Sequence, residues 1–433
     1  MSRPAAGVLI FSGEKLLTLM IIDFTAMVQF TRVVAWMFWL STAGVLYAYV
    51  AYPIILWGFS HFFKRRSLTV PLVEEAMLPS VSLLIAAHNE ELVIKERILN
   101  ALALDYPPSK LEIVIASDGS IDKTAAIVAQ YSIRGVRLID NTTRRGKASV
   151  LNRAMGELSG EIVLFSDANT FTDPGAVRSL VKWFSNPRIG AVCGRLILVD
   201  PESGKNVDGM YWKYETFLKR CESKLGALLG SNGAIYAIRK SLYCPIPDQT
   251  IVDDFVIPLL VKSRSGHDII YDPDATAQEE SAPDVSSEFR RRARIGAGGW
   301  QAISILWRLL NPMRGWVAFT FFSHKVLRWL CPFFLLLSFF LNLALLNRPI
   351  YQLMFACTMG LYLAAIFGAY VPSRLPMSKL FRLAYMFVAM NAALLVGFAR
   401  WMAGSQGGTW NRTQREQESQ PQIPSKSYGD ANY

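Results

Sequence analysis

The chain has 433 residues, of which 18% are charged and 52% hydrophobic, and a formal net charge of +11. With a mean hydropathy of +0.25, this composition is unusual for a soluble protein and points to a membrane. The Lys and Arg residues gather beside apolar runs, as Lys64-Arg65-Arg66 and Arg374, Lys379 and Arg382 do, which fits a cytoplasmic membrane face and argues against nucleic acid.

Five cysteines without close pairs, and four scattered histidines, argue against a disulfide framework or zinc site. They fit a reducing, cytoplasmic setting.

In chain order, residues 1–32 hold an apolar stretch interrupted by Glu14, Lys15 and Asp23, which predicts an interfacial or poorly ordered segment rather than a span. From Val33 to Phe63 there is no Lys, Arg, Asp or Glu. That exceeds the roughly 20 residues needed to cross a bilayer and is too long for a signal-peptide core, so 33–63 is predicted to be a retained transmembrane helix. The basic run Lys64-Arg65-Arg66 places the next domain in the cytoplasm.

After a linker with Pro71 and Pro79, short apolar runs alternate with helical spacing. Strands are predicted at Val81–Ala87, Leu111–Ala116, Gly135–Ile139 and Glu161–Phe165, and helices at Glu90–Leu104, Lys123–Tyr131 and Lys147–Leu158. Such alternation implies parallel βαβ units in a doubly wound sheet, an α/β domain over 80–310 whose second half, from Asp173, is more mixed. Apolar segments at Trp329–Leu346, Tyr351–Val371 and Leu383–Ala399 predict three further transmembrane helices within 326–402. The polar tail 403–433 is predicted to be disordered.

Each strand of the first half ends in polar residues. Phe165-Ser166-Asp167-Ala168-Asn169 ends a buried run, at the edge where open α/β sheets bind ligands. Asp167 and Asn169 offer two oxygens on one turn, suited to a hard cation on a diphosphate. Capping of the following helix is the alternative for Asp167, as it is for Glu90 and Asp118. Three carboxylates at three ends of one sheet favour a site.

The ordered set Ala86-Ala87-His88-Asn89-Glu90-Glu91, Ala116-Ser117-Asp118-Gly119-Ser120, Arg145-Gly146-Lys147, Ser166-Asp167-Ala168-Asn169 and Val252-Asp253-Asp254 resembles family 2 glycosyltransferases. It looks like their membrane-embedded branch, the relatives of cellulose, chitin and hyaluronan synthases. The likeness runs from about Val81 to Gln301 and implies a GT-A-like, Rossmann-type cytoplasmic catalytic domain flanked by transmembrane helices.

The resemblance further implies a nucleotide-sugar donor, usually a UDP-sugar. Asn89, Glu90, Asp118 and Lys147 would bind it, and Asp167 with Asn169 would hold Mg2+ or Mn2+. Asp254, beside Asp253, would be the general base of an inverting transfer. Relatives have a second Asp where Asn169 stands, and Thr-Glu-Asp where Val252-Asp253-Asp254 stands.

Ser231, Asn232 and Gly233 occupy an acceptor-lining segment. Alignment through Gly299, Trp300 and Gln301, also on the acceptor side, sets Arg291 and Arg294 at the donor diphosphate. Ile295 then stands where processive synthases carry Trp. The implied acceptor is a growing polysaccharide or a lipid-linked glycan, in contact with membrane lipid and without nucleic acid. The setting implied is a bacterial inner or cell membrane. Single transfer to a lipid carrier is the alternative. A non-catalytic export scaffold that keeps the fold is another, weakened by the presence of both Asp167 and Asp254.

Overall fold

The computed structural model describes residues 13–63, 74–200, 206, 210–281, 285–370 and 378–409. The basic run Lys64-Arg65-Arg66, Arg374 and the tail from residue 410 lie outside them. The chain divides into two compact units, Val50–Trp329 with Ala392–Tyr433, and Met1–Tyr49 with Leu330–Asn391.

The larger unit is built on an eight-stranded sheet. Its first four strands are β1 (Val81–Ala87), β2 (Leu111–Asp118), β3 (Val136–Asn141) and β4 (Ile162–Asp167). They lie side by side in the order β3-β2-β1-β4, all parallel. Every residue of β1 is buried, as expected of a parallel strand covered on both faces. Leu84 and Ala86 enter one core with Ala148 and Leu151. Leu83 and Ile85 enter the other with Ile94 and Ile98.

The register pairs Ala87 with Ser117, Ala86 with Asp167, and Asp118 with Asn141. The polar residues that follow each strand therefore meet along one edge.

Beyond β4 the sheet becomes mixed, as expected for the second half of the domain. Four more strands follow, β5 (Phe171–Thr172), β6 (Ile189–Val199), β7 (Tyr236–Arg239) and β8 (Asp268–Glu280). β7 runs antiparallel between β4 and β6, and β5 antiparallel to β8, while β6 and β8 are parallel. The reversal has a local consequence. Because Tyr236 of β7 pairs with Phe165 of β4, the loop leading into β7 arrives at the edge where Asp167 sits.

Six helices position the site: α1 (Ile94–Leu102), α2 (Lys147–Met155), α3 (Met210–Lys224), α4 (Asp253–Ser265), α5 (Val285–Leu306) and α6 (Ser378–Met402). α1 begins at Ile94 rather than at Glu90 because Asn89 adopts a left-handed φ of 55°. The amide of Glu90 is also bound by Thr124 Oγ1 at 2.8 Å, which holds the chain in a turn. Close to the site, α5 packs against the end of α6 through small residues. A Cβ on Gly397 would lie 2.5 Å from the Ala293 carbonyl oxygen.

The other unit is helical. The helix that opens the described chain, Gly13–Leu46, already runs through Glu14, Lys15 and Asp23, ahead of Val33. Val34 and Phe38 on it pack with Leu345 and Tyr351, the Phe38 and Tyr351 rings meeting edge to face at 5.3 Å. Polar contacts between helices join them, Thr42 Oγ1 to Ser338 Oγ at 2.9 Å and Tyr49 Oη to Asn391 Oδ1 at 3.3 Å. Such contacts recur where helices pack in lipid. Among the described residues, four helical stretches are long and apolar enough to cross a membrane: Met27–Phe62, Trp316–Leu343, Pro349–Tyr370 and Lys379–Met402.

Candidate active site

A cleft of about 980 Å³ opens at the carboxyl edge of β1 and β4. Three carboxylates and one ammonium form its floor. Lys147, the first residue of α2, donates to Asp167 Oδ1 at 2.7 Å and lies 3.2 Å from Asp253 Oδ2. Burial works against the Lys147 ammonium, but Asp167, Asp253 and Asp254 more than offset it and raise its pKa.

Asp253 and Asp254 open α4, where the helix N-terminus favours negative charge. Asp254 Oδ2 accepts from the Gly233 amide at 2.9 Å. Burial, and then the neighbouring Asp253 charge, push the Asp254 carboxyl up to about 6, with Lys147 opposing. A carboxylate of that strength is a competent base near neutral pH.

The loop before β7 is bound to Asp254 at several points. Ser231 donates to the Asp254 carbonyl oxygen from its amide at 3.2 Å and from its hydroxyl at 2.7 Å. Asn232 and Gly233 line the cleft itself. A Cβ on Gly233 would stand 3.2 Å from Asp167 Oδ2 and 3.5 Å from Asp254 Oδ2. This glycine therefore keeps open the narrow space between the Asp167 and Asp254 carboxylates.

Of the expected donor residues, Glu90 and Lys147 line the cleft, together with Arg291 and Arg294 of α5. Asn89 and Asp118 do not. Asp118 is fully buried and accepts from the Arg145 and Gly146 amides at 2.7 and 2.9 Å. It thereby pins the loop that delivers Lys147. Gly119 beside it is required: its φ is +62°, and a Cβ would meet the Arg144 nitrogen at 2.6 Å. Asn89 Oδ1 accepts from the Ile121 amide at 2.9 Å. Both residues build the donor loops rather than face the cleft.

Arg291 forms an ion pair with Glu288 at 3.0 Å, and Arg294 reaches the Ile251 carbonyl at 3.5 Å.

On the acceptor side, Trp300 and Gln301 lie away from the cleft lining. The Trp300 ring stacks against Trp401 at 6.1 Å. Gln301 accepts from the Ile251 amide at 2.9 Å and donates to the Gln249 carbonyl at 2.9 Å. It clamps the loop that leads into Asp253. Ile295 does line the cleft, and Trp212 of α3 is the one aromatic side chain among the described residues that line it.

Asp167 and Asn169 are both at the cleft. The Asn169 amide donates to Glu279 Oε1 at 3.0 Å, which also brings Glu279 to this rim. Among the described residues no group of three or more His, Cys, Asp or Glu side chains forms a closed metal cage. An all-oxygen set of one or two carboxylates and an amide fits a hard divalent cation that takes its remaining ligands from a diphosphate.

Two features escaped the motif pattern. Arg97 of α1 is wholly buried; it donates to Ser166 Oγ at 3.1 Å, to Asn100 Oδ1 at 2.9 Å and to the Asp167 carbonyl at 3.4 Å. Burial pushes its guanidinium down to about 10, against the pull of Asp167. Its signal was available: position 97 falls on the apolar stripe of Ile94, Ile98 and Ala101. The second is the stretch after α6, expected to be disordered from residue 403. Residues up to 409 are ordered, and Gln406, Gly408 and Thr409 line the cleft beside Arg400. The Gly408 amide is bound by Gln249 Oε1 at 3.2 Å, a polar anchor that a hydropathy pattern does not register.

Comparison with known proteins agrees with this geometry. Residues 82–243 match the model of Glycosyl transferase family 2, and the chain carries a domain of that family. It is 29% identical over 262 residues to the probable glycosyltransferase YdaM of Bacillus subtilis, covering 56% of this chain and 60% of that one. It is 28% identical over 245 residues to the poly-beta-1,6-N-acetyl-D-glucosamine synthase of Staphylococcus epidermidis, covering 55% of this chain and 59% of the relative. The chain thus spans about 60% of the length of these relatives. A mannosyltransferase from Pyrobaculum calidifontis, solved with GDP-Man and Mn2+, superposes with a TM-score of 0.66 at 21% identity, covering 84% of this chain and 99% of that one. The fold is GT-A-like.

Proposed function

We propose that the protein is an inverting membrane glycosyltransferase that moves a sugar from a UDP-sugar to a growing polysaccharide or lipid-linked glycan. The observation that carries this reading is the Asp254 carboxylate, whose Oδ2 is held at 2.9 Å by the Gly233 amide and whose pKa is pushed up to about 6. It sits across a glycine-wide gap from Asp167.

The acceptor hydroxyl gives its proton to Asp254 as its oxygen bonds the anomeric carbon from one face. The bond to the diphosphate breaks on the other face, and its electron pair leaves with the nucleotide. Lys147, Arg291 and Arg294 supply positive charge to the departing diphosphate. Mg2+ or Mn2+, held by Asp167 with Asn169 or Glu279, would neutralise further charge there.

The four long apolar helical stretches support integration in a cell membrane, with the glycosyltransferase domain on the cytoplasmic side where nucleotide sugars are made. The likeness to the poly-beta-1,6-N-acetyl-D-glucosamine synthase of Staphylococcus epidermidis favours a polysaccharide product and makes UDP-N-acetylglucosamine the first donor to test. Ile295 at the cleft supports the second reading, a single transfer to a lipid carrier.

The test is incorporation of radiolabel from UDP-sugars by the full chain in lipid nanodiscs with Mg2+ or Mn2+. Asp254→Asn should cut turnover by about 10²- to 10⁴-fold and leave UDP binding within a factor of about two. Product size separates polymer from single transfer. Equal turnover by Asp254→Asn would remove Asp254 from the role of base.

A further inference from the structure

Helix α3 carries Glu215, Lys219 and Glu222 at four- and three-residue spacing, on one stripe. Glu215 and Glu222 are buried, and each is tied to other elements. Glu215 Oε1 accepts from Arg328 at 2.5 Å. Glu222 Oε1 accepts from the Tyr52 hydroxyl at 3.0 Å and lies 2.6 Å from His324 Nδ1, while its Oε2 accepts from the Leu229 amide at 3.4 Å. A buried ionic cluster adds little net stability over apolar packing, but it tolerates few alternative arrangements, because each broken pair strands a charge. The rotation of α3 about its axis is thereby fixed.

Lys219 projects from this stripe to the active-site loop, where its ammonium donates to Asn232 Oδ1. The Asn232 amide nitrogen donates to the Gly194 carbonyl at 3.4 Å. One amide orientation satisfies both partners, since the ammonium needs an acceptor and the carbonyl a donor. The next residue is Gly233, whose amide holds Asp254 Oδ2.

Resting on the reading of this cleft as a glycosyl-transfer site, we propose that Lys219 is a positioning residue that locks the Asn232–Gly233 turn and so aims the Asp254 base at the acceptor hydroxyl. The charged stripe of α3 sets where Lys219 stands, and Lys219 sets where the Gly233 amide points. Lys219 itself is not among the residues that line the cleft.

The experiment uses the full chain in nanodiscs, with kcat, acceptor KM, UDP affinity and thermal melting measured for Lys219→Met, Lys219→Arg, Asn232→Ala and the double variant Lys219→Met/Asn232→Ala. A base misaimed by a fraction of an ångström to about 1 Å loses on the order of 10- to 100-fold in kcat. Lys219→Met should show that loss with UDP affinity unchanged, and Lys219→Arg should restore most of it. The double variant should be no slower than Asn232→Ala, because both changes break one linkage. Unchanged kcat in Lys219→Met, or losses that multiply in the double variant, overturns the proposal. If Lys219→Met does not fold, Asn232→Ala decides alone: it must lose kcat while keeping UDP affinity. Absence of turnover by the unaltered chain with every UDP-sugar would bring down the site reading itself, an outcome distinct from an active chain indifferent to Lys219.

Discussion

Gly233→Ala is the sharpest single perturbation the site offers. The backbone there needs no left-handed conformation, so the change adds one methyl and no torsional strain. That methyl would stand 3.2 Å from Asp167 Oδ2 and 3.5 Å from Asp254 Oδ2. The first contact is a few tenths of an ångström tighter than an ordinary carbon–oxygen contact, so the Asp167 carboxylate must yield by about that much, at a cost on the order of 1 kcal/mol. Folding should survive this.

Chemistry should not. The methyl occupies the gap between the Asp254 and Asp167 carboxylates, where the proposed mechanism sets the reacting sugar carbon. Pushing that carbon back by about 1 Å costs roughly 10²-fold in turnover. Label transfer from UDP-sugar in nanodiscs reads kcat, calorimetry reads UDP affinity, and a melting curve reads folding. The expected pattern is a near-normal melt, UDP affinity within a few-fold, and kcat down by about two orders of magnitude. Full turnover in a folded variant would refute the placement of the reaction between these two carboxylates.

Two more outcomes are expected from the same geometry. On the proposed mechanism Asp254 must be ionised to accept the proton, and burial with the Asp253 charge pushes its pKa up to about 6; kcat/KM should therefore be flat above that value and fall tenfold per pH unit below it. A limb near pH 4, the range of an ordinary carboxylate, would contradict the buried, paired setting of Asp254. Arg97→Met removes the donor to Ser166 Oγ and one of two donors to each of Asn100 Oδ1 and the Asp167 carbonyl, which keep the Thr172 and Thr170 amides, and should destabilise the domain by on the order of 2 kcal/mol and lower its melting temperature. An unchanged melt would show that Arg97 does not hold the end of β4.

Much of this architecture was legible in the order of residues. Unbroken apolar runs of strand length, such as Val81–Ala87, can only be buried on both faces. Stretches of more than about 20 apolar residues leave the chain few options but a membrane. Polar residues placed directly after buried strands must emerge at one sheet edge once the strands run parallel. That logic located Glu90, Asp167 and Asn169 at one cleft, and the resemblance to family 2 glycosyltransferases added Lys147 and the Asp253–Asp254 pair, which line it too.

Which of those polar groups face the cleft and which build it was decided by tertiary structure alone. Asp118 and Glu90 each follow a buried strand in much the same way, yet Asp118 spends its oxygens on the Arg145 and Gly146 amides while Glu90 lines the cleft. Such partners are set by loop geometry, which a residue pattern does not encode. The reversed direction of β7, which delivers Gly233 to Asp254, depends on pairing between strands some 70 residues apart. The reach of Lys219 to Asn232 rests, on the proposal above, on the contacts of Glu215 with Arg328 and of Glu222 with His324, about 100 residues further along the chain. Local pattern comes from the covalent sequence and its periodicity. The working arrangement of the site comes from contacts between distant segments, whose energies exist only once the chain has closed around them.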